Sequence, residues 1–248
     1  MKESGTAKKI VEVAAKGRTV EASTSGRVFK PTAASKQRAR KLRAIAIILW
    51  VLAIAAEGVA IYVLKRPPVA NVMWPLLGIL VVDLVLAATG SILWKKANRL
   101  DPASEKDKLR FFVQNQLGAI IAVVAFLPLV LFIFTDKNLQ GKQKGILGAA
   151  AIVALLIAGV VGIDFNPPSI EEYTEQTQEI EQLTGANKVF WTKSGNRYHI
   201  YSDCPHINTN RTTEILTGTV AQARELKNIT ELCKTCKSRR EREKASGE

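Results

Sequence analysis

Four long apolar segments alternate with short charged segments in the middle of this 248-residue chain. They cover residues 44–64, 72–94, 113–134 and 145–163 and are rich in Ala, Ile, Leu and Val. A helix needs roughly 20 apolar residues to cross about 30 Å of hydrocarbon, and each segment approaches or exceeds that length. Buried helices of a soluble protein are the alternative, but these segments have almost no polar face. The pattern predicts a mainly α membrane protein with a four-helix transmembrane bundle over residues 43–165.

The distribution of Lys and Arg indicates how the predicted spans are oriented, because cytoplasmic loops are enriched in these residues. Residues 1–43 hold twelve Lys or Arg against three Glu, and residues 95–110 hold six positive residues. The loops after the first and third spans are poorer in positive charge. We therefore predict a multi-pass protein of the plasma membrane with both termini in the cytoplasm. The side of the C-terminus follows from the even number of spans.

The segments on either side of the predicted bundle differ in character. Residues 1–42 are basic and too poor in apolar side chains to form a core, which predicts a disordered tail. Ser169 and Glu172 form a capping-box pattern after the fourth span, which predicts the start of a new helix. A narrow apolar stripe within residues 166–185 indicates an acidic stalk helix that could pair with a copy of itself.

All three cysteines and both histidines of the chain fall between residues 199 and 236. Such clustering of soft ligands is typical of a metal site. Three cysteines and one histidine form the preferred ligand set, which is His199, Cys204, Cys233 and Cys236. His206 is the alternative fourth ligand, although it lies only two residues from Cys204 and would form a tight chelate. Ordinary buried thiols and surface imidazoles are the other explanation, but they do not account for the clustering.

The spacing of these residues favours a structural zinc site. A Cys-x2-Cys pair can place two thiolates on one tetrahedral metal, and a distant second pair completes it. Thiolate and imidazole are the structural ligands of Zn²⁺. A strand hairpin and a short helix are indicated around the ligands, so residues 186–240 are predicted to form a small α+β zinc-binding module. So small a core often depends on its metal for folding.

The sequence WTKSGNRYHIYSDCPHI, followed by GTVAQARELKNITELCKTC, resembles the small zinc-binding tails of many bacterial proteins. These tails are related to the metal-binding domain of the Ada DNA-repair protein and also occur at the end of some nucleases. The resemblance rests on Tyr-His, a nearby Cys, an Ala-containing helix and a terminal Cys-x2-Cys. It implies metal binding. The Ada domain uses one of four cysteines as a methyl acceptor, whereas this chain has a histidine in place of one cysteine.

Two acidic residues, Glu57 and Asp83, lie deep inside the first and second predicted spans. An ionisable group at such a depth costs several kcal/mol unless it is neutral or paired, and it normally faces the bundle interior. Small residues share the helical face of each, which is typical of helix contacts in lipid. A proton or cation path is the functional interpretation. A protonated carboxyl group that hydrogen-bonds across helices is the structural one.

These features predict a non-enzymatic membrane protein that displays a zinc module in the cytoplasm for scaffolding or regulatory interaction. The first alternative is a transporter or channel subunit centred on Glu57 and Asp83. The second is a thiol enzyme using Cys233 and Cys236, which would prefer a thioredoxin-like setting that the sequence does not indicate. The candidate partners are the lipid bilayer, a cytoplasmic protein and a second copy of the chain. The charged tail, residues 241–248, and the basic residues before it could also contact nucleic acid, although a solvated tail explains them as well.

Overall fold

The computed structural model describes residues 8–13, 28–65, 72–137, 139–227 and 229–247. The chain divides into two compact units. Ser35–Pro167 form the first unit, called the bundle below. The residues before Ser35 and those from Pro168 onwards together form the second unit, called the module. The bundle is therefore inserted between two segments of the module.

The bundle contains four helices, α1 (Ala33–Lys65), α2 (Met73–Leu100), α3 (Lys108–Thr135) and α4 (Gly141–Gly162). All four are long and apolar enough to cross a membrane, judged by their length and composition. The prediction of a mainly helical chain with four such helices is confirmed. The helices extend beyond the apolar segments, most clearly α1, which begins eleven residues before position 44. The added residues are mostly Ala, Lys and Arg, which are strong helix formers in water.

The buried face of α1 repeats every seven residues. Its buried members recur at steps of three, four or seven, and they are Ser35, Ala39, Ala46, Trp50, Ala53, Glu57, Ala60 and Leu64. The buried face of α2 follows the same rule with Leu76, Leu80, Asp83, Ala87, Gly90 and Ala97. This spacing is that of the contact face of coiled-coil helices. Small residues on such a face allow helices to pack closely in lipid.

A polar network ties the start of α1 to the end of α2. Nη1 of Arg43 lies 2.8 Å from Oδ2 of Asp101, and Nη2 donates to Oδ1 of Asn98 at 3.3 Å. The side-chain amide of Asn98 donates to the carbonyl of Gln114 at 2.7 Å, which brings in α3. Arg43 thus joins α1 to α2. It also belongs to the basic segment that indicates the membrane topology.

Helices α3 and α4 pack backbone against backbone at one point. A Cβ atom at Gly162 would lie 2.5 Å from the backbone nitrogen of Ala119. A Cβ atom at Gly118 would lie 2.9 Å from the carbonyl oxygen of Gly162. Only glycine fits at both positions, so these two residues set the distance between the helices.

The module combines short strands with three helices. Its elements are β1 (Lys9–Glu12), α5 (Ile170–Thr184), β2 (Val189–Trp191), β3 (Arg197–Tyr198), β4 (Glu214–Gly218), α6 (Val220–Lys227), β5 (Glu231–Leu232) and α7 (Lys234–Ala245). One sheet has the order β1-β4-β2, with β1 parallel and β2 antiparallel to β4. Strands β3 and β5 form a separate parallel pair. The predicted α6 is present, and the N–H of Gln222 donates to the hydroxyl of its cap, Thr219.

Helix α5 begins and ends as predicted but is part of the module. Ser169 caps it by accepting from the N–H of Glu172 at 2.9 Å, and Gly185 ends it with φ 77°. Ile180 is fully buried in the module core, and Tyr173 is 2 % exposed. The apolar stripe therefore packs within the same chain, which differs from the predicted stalk helix with a free face. The boundary predicted at residue 185 therefore lies within the module and does not separate two structural units.

The N-terminal segment also joins the module where the structure describes it. Strand β1 pairs with β4 from Lys9 opposite Glu214 to Glu12 opposite Thr217. The backbone N–H of Phe29 donates to the hydroxyl of Thr174 at 2.8 Å. Residues 8–13 and the helical residues 33–42 thus depart from the predicted disordered tail, because β4 offers an unpaired edge and α1 continues past the apolar segment. Residues 1–7 and 14–27 of that tail lie outside the described residues.

Candidate metal centre

The four predicted ligands of the preferred set lie together in the module. His199, Cys204, Cys233 and Cys236 each offer one ligand atom, and these atoms all lie within 4.8 Å of one another. All four side chains are buried, and the most exposed, His199, is only 4 % exposed. Four donor atoms at this mutual spacing can surround a single ion.

His199 is positioned by the hairpin that the sequence predicts. The backbone N–H of Phe190 donates to the carbonyl of His199 at 2.7 Å, and the N–H of His199 donates back at 2.7 Å. This antiparallel bridge follows directly after β3. Nδ1 of His199 lies 3.5 Å from Sγ of Cys236, so this nitrogen is the one that faces the thiols.

The Cys-x2-Cys pair is held where β5 meets α7. The N–H of Cys233 donates to the carbonyl of Tyr198 at 2.9 Å, which ties the pair to β3. Cys233 is the N-cap of α7, and Cys236 lies in its first turn. Pairing of β3 with β5 therefore brings ligands that are more than thirty residues apart in sequence to one place.

Cys204 reaches the same place from a tight turn after the hairpin. Its carbonyl accepts from the N–H of Ile207 at 3.0 Å and from that of Asn208 at 2.8 Å. Ile207 is 2 % exposed and anchors the turn in the core. The turn is thus fixed on both sides of the thiol.

The electrostatic surroundings differ between the ligands. Burial lowers the pKa of His199 to about 4, so its imidazole is neutral near pH 7. Burial disfavours the Cys233 thiolate, but N–H donors from Cys236 and Thr235 outweigh it, and the pKa of Cys233 falls below its usual value. Burial and the hydrogen bond with Cys204 raise the pKa of Cys236 to about 12. Backbone N–H groups at the start of α7 thus point at the thiol of Cys233, the N-cap residue of this helix.

His206 lies outside the group of four. Its side chain is exposed, and Nε2 lies 2.9 Å from the hydroxyl oxygen of Thr235. Pro205 and the turn at Cys204 direct it to the surface beside the first turn of α7. Its position is that of a residue that borders the site, and His199 is the histidine that faces the three thiols.

The module contains a buried arginine that no sequence pattern indicated. Arg224 is fully buried, and its guanidinium carbon lies 3.3 Å from the ring centroid of Tyr173. It also donates a hydrogen bond to the side chain of Gln176. Arg224 thereby joins α6 to α5. In the sequence of the short helix α6, Arg224 resembles a surface residue, so only its contacts show that it is buried.

The basic residues of α7 contact acidic residues of the module. Nζ of Lys237 lies 2.7 Å from Oε1 of Glu179, and Nη1 of Arg239 lies 2.9 Å from Oδ2 of Asp203. Exposed ion pairs contribute little to stability, typically below about 1 kcal/mol. Together these contacts orient α7 against α5 and against the turn before Cys204.

The two predicted intramembrane carboxyl groups belong to the bundle. Glu57 is 4 % exposed and Asp83 is 1 % exposed. Oε1 of Glu57 accepts from the backbone N–H of Leu129 at 3.1 Å. Both side chains therefore face the interior, as their small neighbours in sequence indicated.

Comparison of the chain with protein-family models, with curated proteins and with solved structures gave no match. The resemblance of the tail to Ada-like zinc-binding domains stays a prediction. The assignment of the site therefore depends on its own geometry and chemistry.

Proposed function

We propose that this chain is a multi-pass membrane protein that displays a structural zinc module in the cytoplasm for scaffolding or regulatory interaction. The observation that carries the proposal is the group of four buried ligand atoms within 4.8 Å of one another. Four helices able to cross a membrane supply the anchor.

The donor set favours zinc. Three thiolates and one imidazole form a common tetrahedral set for structural Zn²⁺, whereas Mg²⁺ and Ca²⁺ require oxygen ligands. Four protein ligands also leave no open position for a reacting water, which distinguishes structural from catalytic sites. The resemblance to Ada-like tails supports the same ligand set.

The position of the ligands supports a role in folding rather than in thiol chemistry. Reactive cysteines are usually partly exposed, but Cys204, Cys233 and Cys236 are at most 3 % exposed. The metal would join the hairpin, the following turn and the start of α7. Because the core of the module is small, much of the binding free energy would appear as folding free energy.

The module is built from two chain segments that flank the bundle, and this supports the proposed orientation. Residues 8–13 and 28–32 fold with residues from Pro168 onwards, which supports a topology with both flanking segments of the bundle on one side of a membrane. Four crossings fit this topology because their number is even. The positive charge of residues 36–43 and 95–110 supports the cytoplasm as that side.

The contacts of α7 bear on the choice of partner. Several basic side chains that could neutralise phosphates are engaged with acidic groups of the module. A protein partner that recognises the folded module is therefore favoured over nucleic acid, whose binding depends on free basic residues.

We expect the purified full chain to carry about one zinc ion per chain, because the four ligands form one tetrahedral site. Cys233→Ser and Cys236→Ser should each release it, and His199→Gln should weaken its retention. The zinc content of each purified protein, measured by elemental analysis or with a metal-specific dye, checks this.

His206→Gln is the matched control, since His206 lies beside the site but does not face the thiols. It is expected to retain the metal. Equal loss of metal from both histidine variants, or wild-type protein without any metal and with three thiols open to labelling, would contradict the proposal.

We expect the module to be accessible from the cytoplasmic face alone, because its two segments flank an even number of spans and the basic segments favour the cytoplasmic side. An epitope tag after residue 248 should resist protease in right-side-out vesicles and be removed in inside-out vesicles. The loop that contains Asp101–Asp107 should behave in the same way as the tag. Cleavage of the tag from the outer face would refute the orientation.

A further inference from the structure

Two contacts set the register between α1 and α2. Arg43 contacts Asp101, and one heptad later Nε1 of Trp50 donates to the carbonyl of Ala87 at 3.3 Å. A Cβ atom at Gly90 would lie 2.6 Å from the same nitrogen. Later residues of α1 contact earlier residues of α2, so the two helices run antiparallel.

This register places Glu57 and Asp83 at the same depth. Glu57 lies seven residues beyond Trp50, or about 10 Å along α1 at 1.5 Å per residue. Asp83 lies four residues before Ala87 and seven before Gly90, or about 6 to 10 Å in the same direction along α2. Both side chains are buried, on the same helical faces as Trp50 of α1 and Ala87 of α2, which contact each other.

The apolar segments around the pair contain no compensating cation. Residues 44–64, 73–94, 111–135 and 145–162 contain no Lys, Arg or His, so no basic side chain of the four apolar segments can neutralise the carboxyl groups. The only other ionisable group in these segments is the phenol of Tyr62, which is exposed. Within the described residues, neither carboxyl oxygen of Asp83 has a hydrogen-bond partner.

The third helix contributes polar backbone beside the pair. Leu129, whose N–H donates to Glu57, directly follows Pro128 inside α3. Proline has no N–H, so the carbonyl of Val124 lacks its helical donor. Proline is tolerated in membrane helices where neighbouring groups satisfy the backbone that it frees.

We propose that Glu57 and Asp83 form a binding site for a small monovalent cation, a proton or a sodium ion, inside the bundle. Two carboxylates in a site that excludes water would be strongly destabilised without such a cation. The oxygens that remain without a donor are too few for Ca²⁺, which takes six to eight, and Mg²⁺ demands an octahedral shell. A proton shared between the carboxyl groups, or a sodium ion held by them, matches the donors present.

Infrared difference spectroscopy on the full chain in lipid nanodiscs tests the proposal. Exposed carboxyl groups are ionised near neutral pH, because their ordinary pKa lies near 4. The sodium-free wild type should nevertheless show the C=O stretch of a protonated carboxyl group. Glu57→Gln and Asp83→Asn should each remove at least half of this band, whereas Glu175→Gln, a change at an exposed position of the module, should leave it unchanged. Asp83→Glu should retain the band and shows that a lost band does not reflect misfolding.

The two ligands are distinguished by titration. If sodium binds, sodium chloride should reduce the band at constant pH while choline chloride does not. If only a proton binds, both salts should leave the band unchanged and alkali should remove it. Either result supports the site. Absence of the band from sodium-free wild type, or its full persistence in the Glu57→Gln, Asp83→Asn double variant, would overturn it.

Discussion

Removal of the metal from the full chain is expected to unfold the module and to leave the bundle folded. Structural zinc sites supply free energy of order 10 kcal/mol, which is comparable to the whole stability of a domain. The pairing of β2 with β4 covers three residues and that of β3 with β5 covers two, so these pairs contribute little stability of their own. Hydrogen exchange after treatment with a strong chelator should show rapid exchange at residues 189–199 and 231–236.

The helices of the bundle serve as the internal reference in this experiment, because they hold none of the four ligands. Amides of α2 and α3 should keep their protection after chelation. Adding zinc back should restore protection in the module, whereas magnesium should not, since Mg²⁺ prefers oxygen ligands. Protection of the module that survives in protein shown to be free of metal would mean that its apolar core suffices.

The candidate site was predictable because its residues are rare and their chemistry is specific. Five Cys and His residues fell in one short stretch, and a Cys-x2-Cys pair fixes two ligands of a tetrahedron without further information. The choice between His199 and His206 was harder, since both lie near Cys204. The contact between Nδ1 of His199 and Sγ of Cys236 shows which imidazole faces the thiols.

Sequence patterns could not show what each helix packs against. The stripe of α5 is periodic and correctly predicts a helix, but a stripe does not identify its partner, and Ile180 packs in the module core. Strand β1 is a stretch of four residues whose pairing with β4 bridges some two hundred positions of sequence. Such distant pairing leaves no local signal.

The depth of the buried carboxyl groups illustrates the same limit within the bundle. Glu57 lies seven residues from the segment end at 64, and Asp83 lies eleven residues from the segment end at 72, so counting from these ends would put them at different levels. The contact between Trp50 and Ala87 sets the true register. Registers of this kind depend on the shapes of individual side chains and are not contained in hydropathy.

Substitution of Gly162 by alanine is expected to separate α3 from α4 and to destabilise the bundle. The added Cβ atom would lie 2.5 Å from both the backbone nitrogen of Ala119 and the backbone carbon of Gly118. Backbone atoms cannot move aside as a flexible side chain would, so the helices must shift. Overpacking typically costs about 1–3 kcal/mol, and a clash with backbone belongs at the upper end of that range or beyond it. Thermal unfolding of the purified protein in detergent, followed by the loss of helical circular dichroism, measures the effect.

Gly159→Ala is the matched control, since it adds the same methyl group to the same helix where no atom lies within 4 Å. Alanine has a higher helix propensity than glycine by up to about 1 kcal/mol in an open position. The unfolding temperature of Gly159→Ala should therefore be unchanged or raised, while that of Gly162→Ala falls. Equal behaviour of the two variants would show that α3 and α4 do not touch at Gly118 and Gly162. A drop confined to Gly162→Ala would instead locate their closest approach at this pair of glycines, because the two substitutions differ only in what the new methyl group meets.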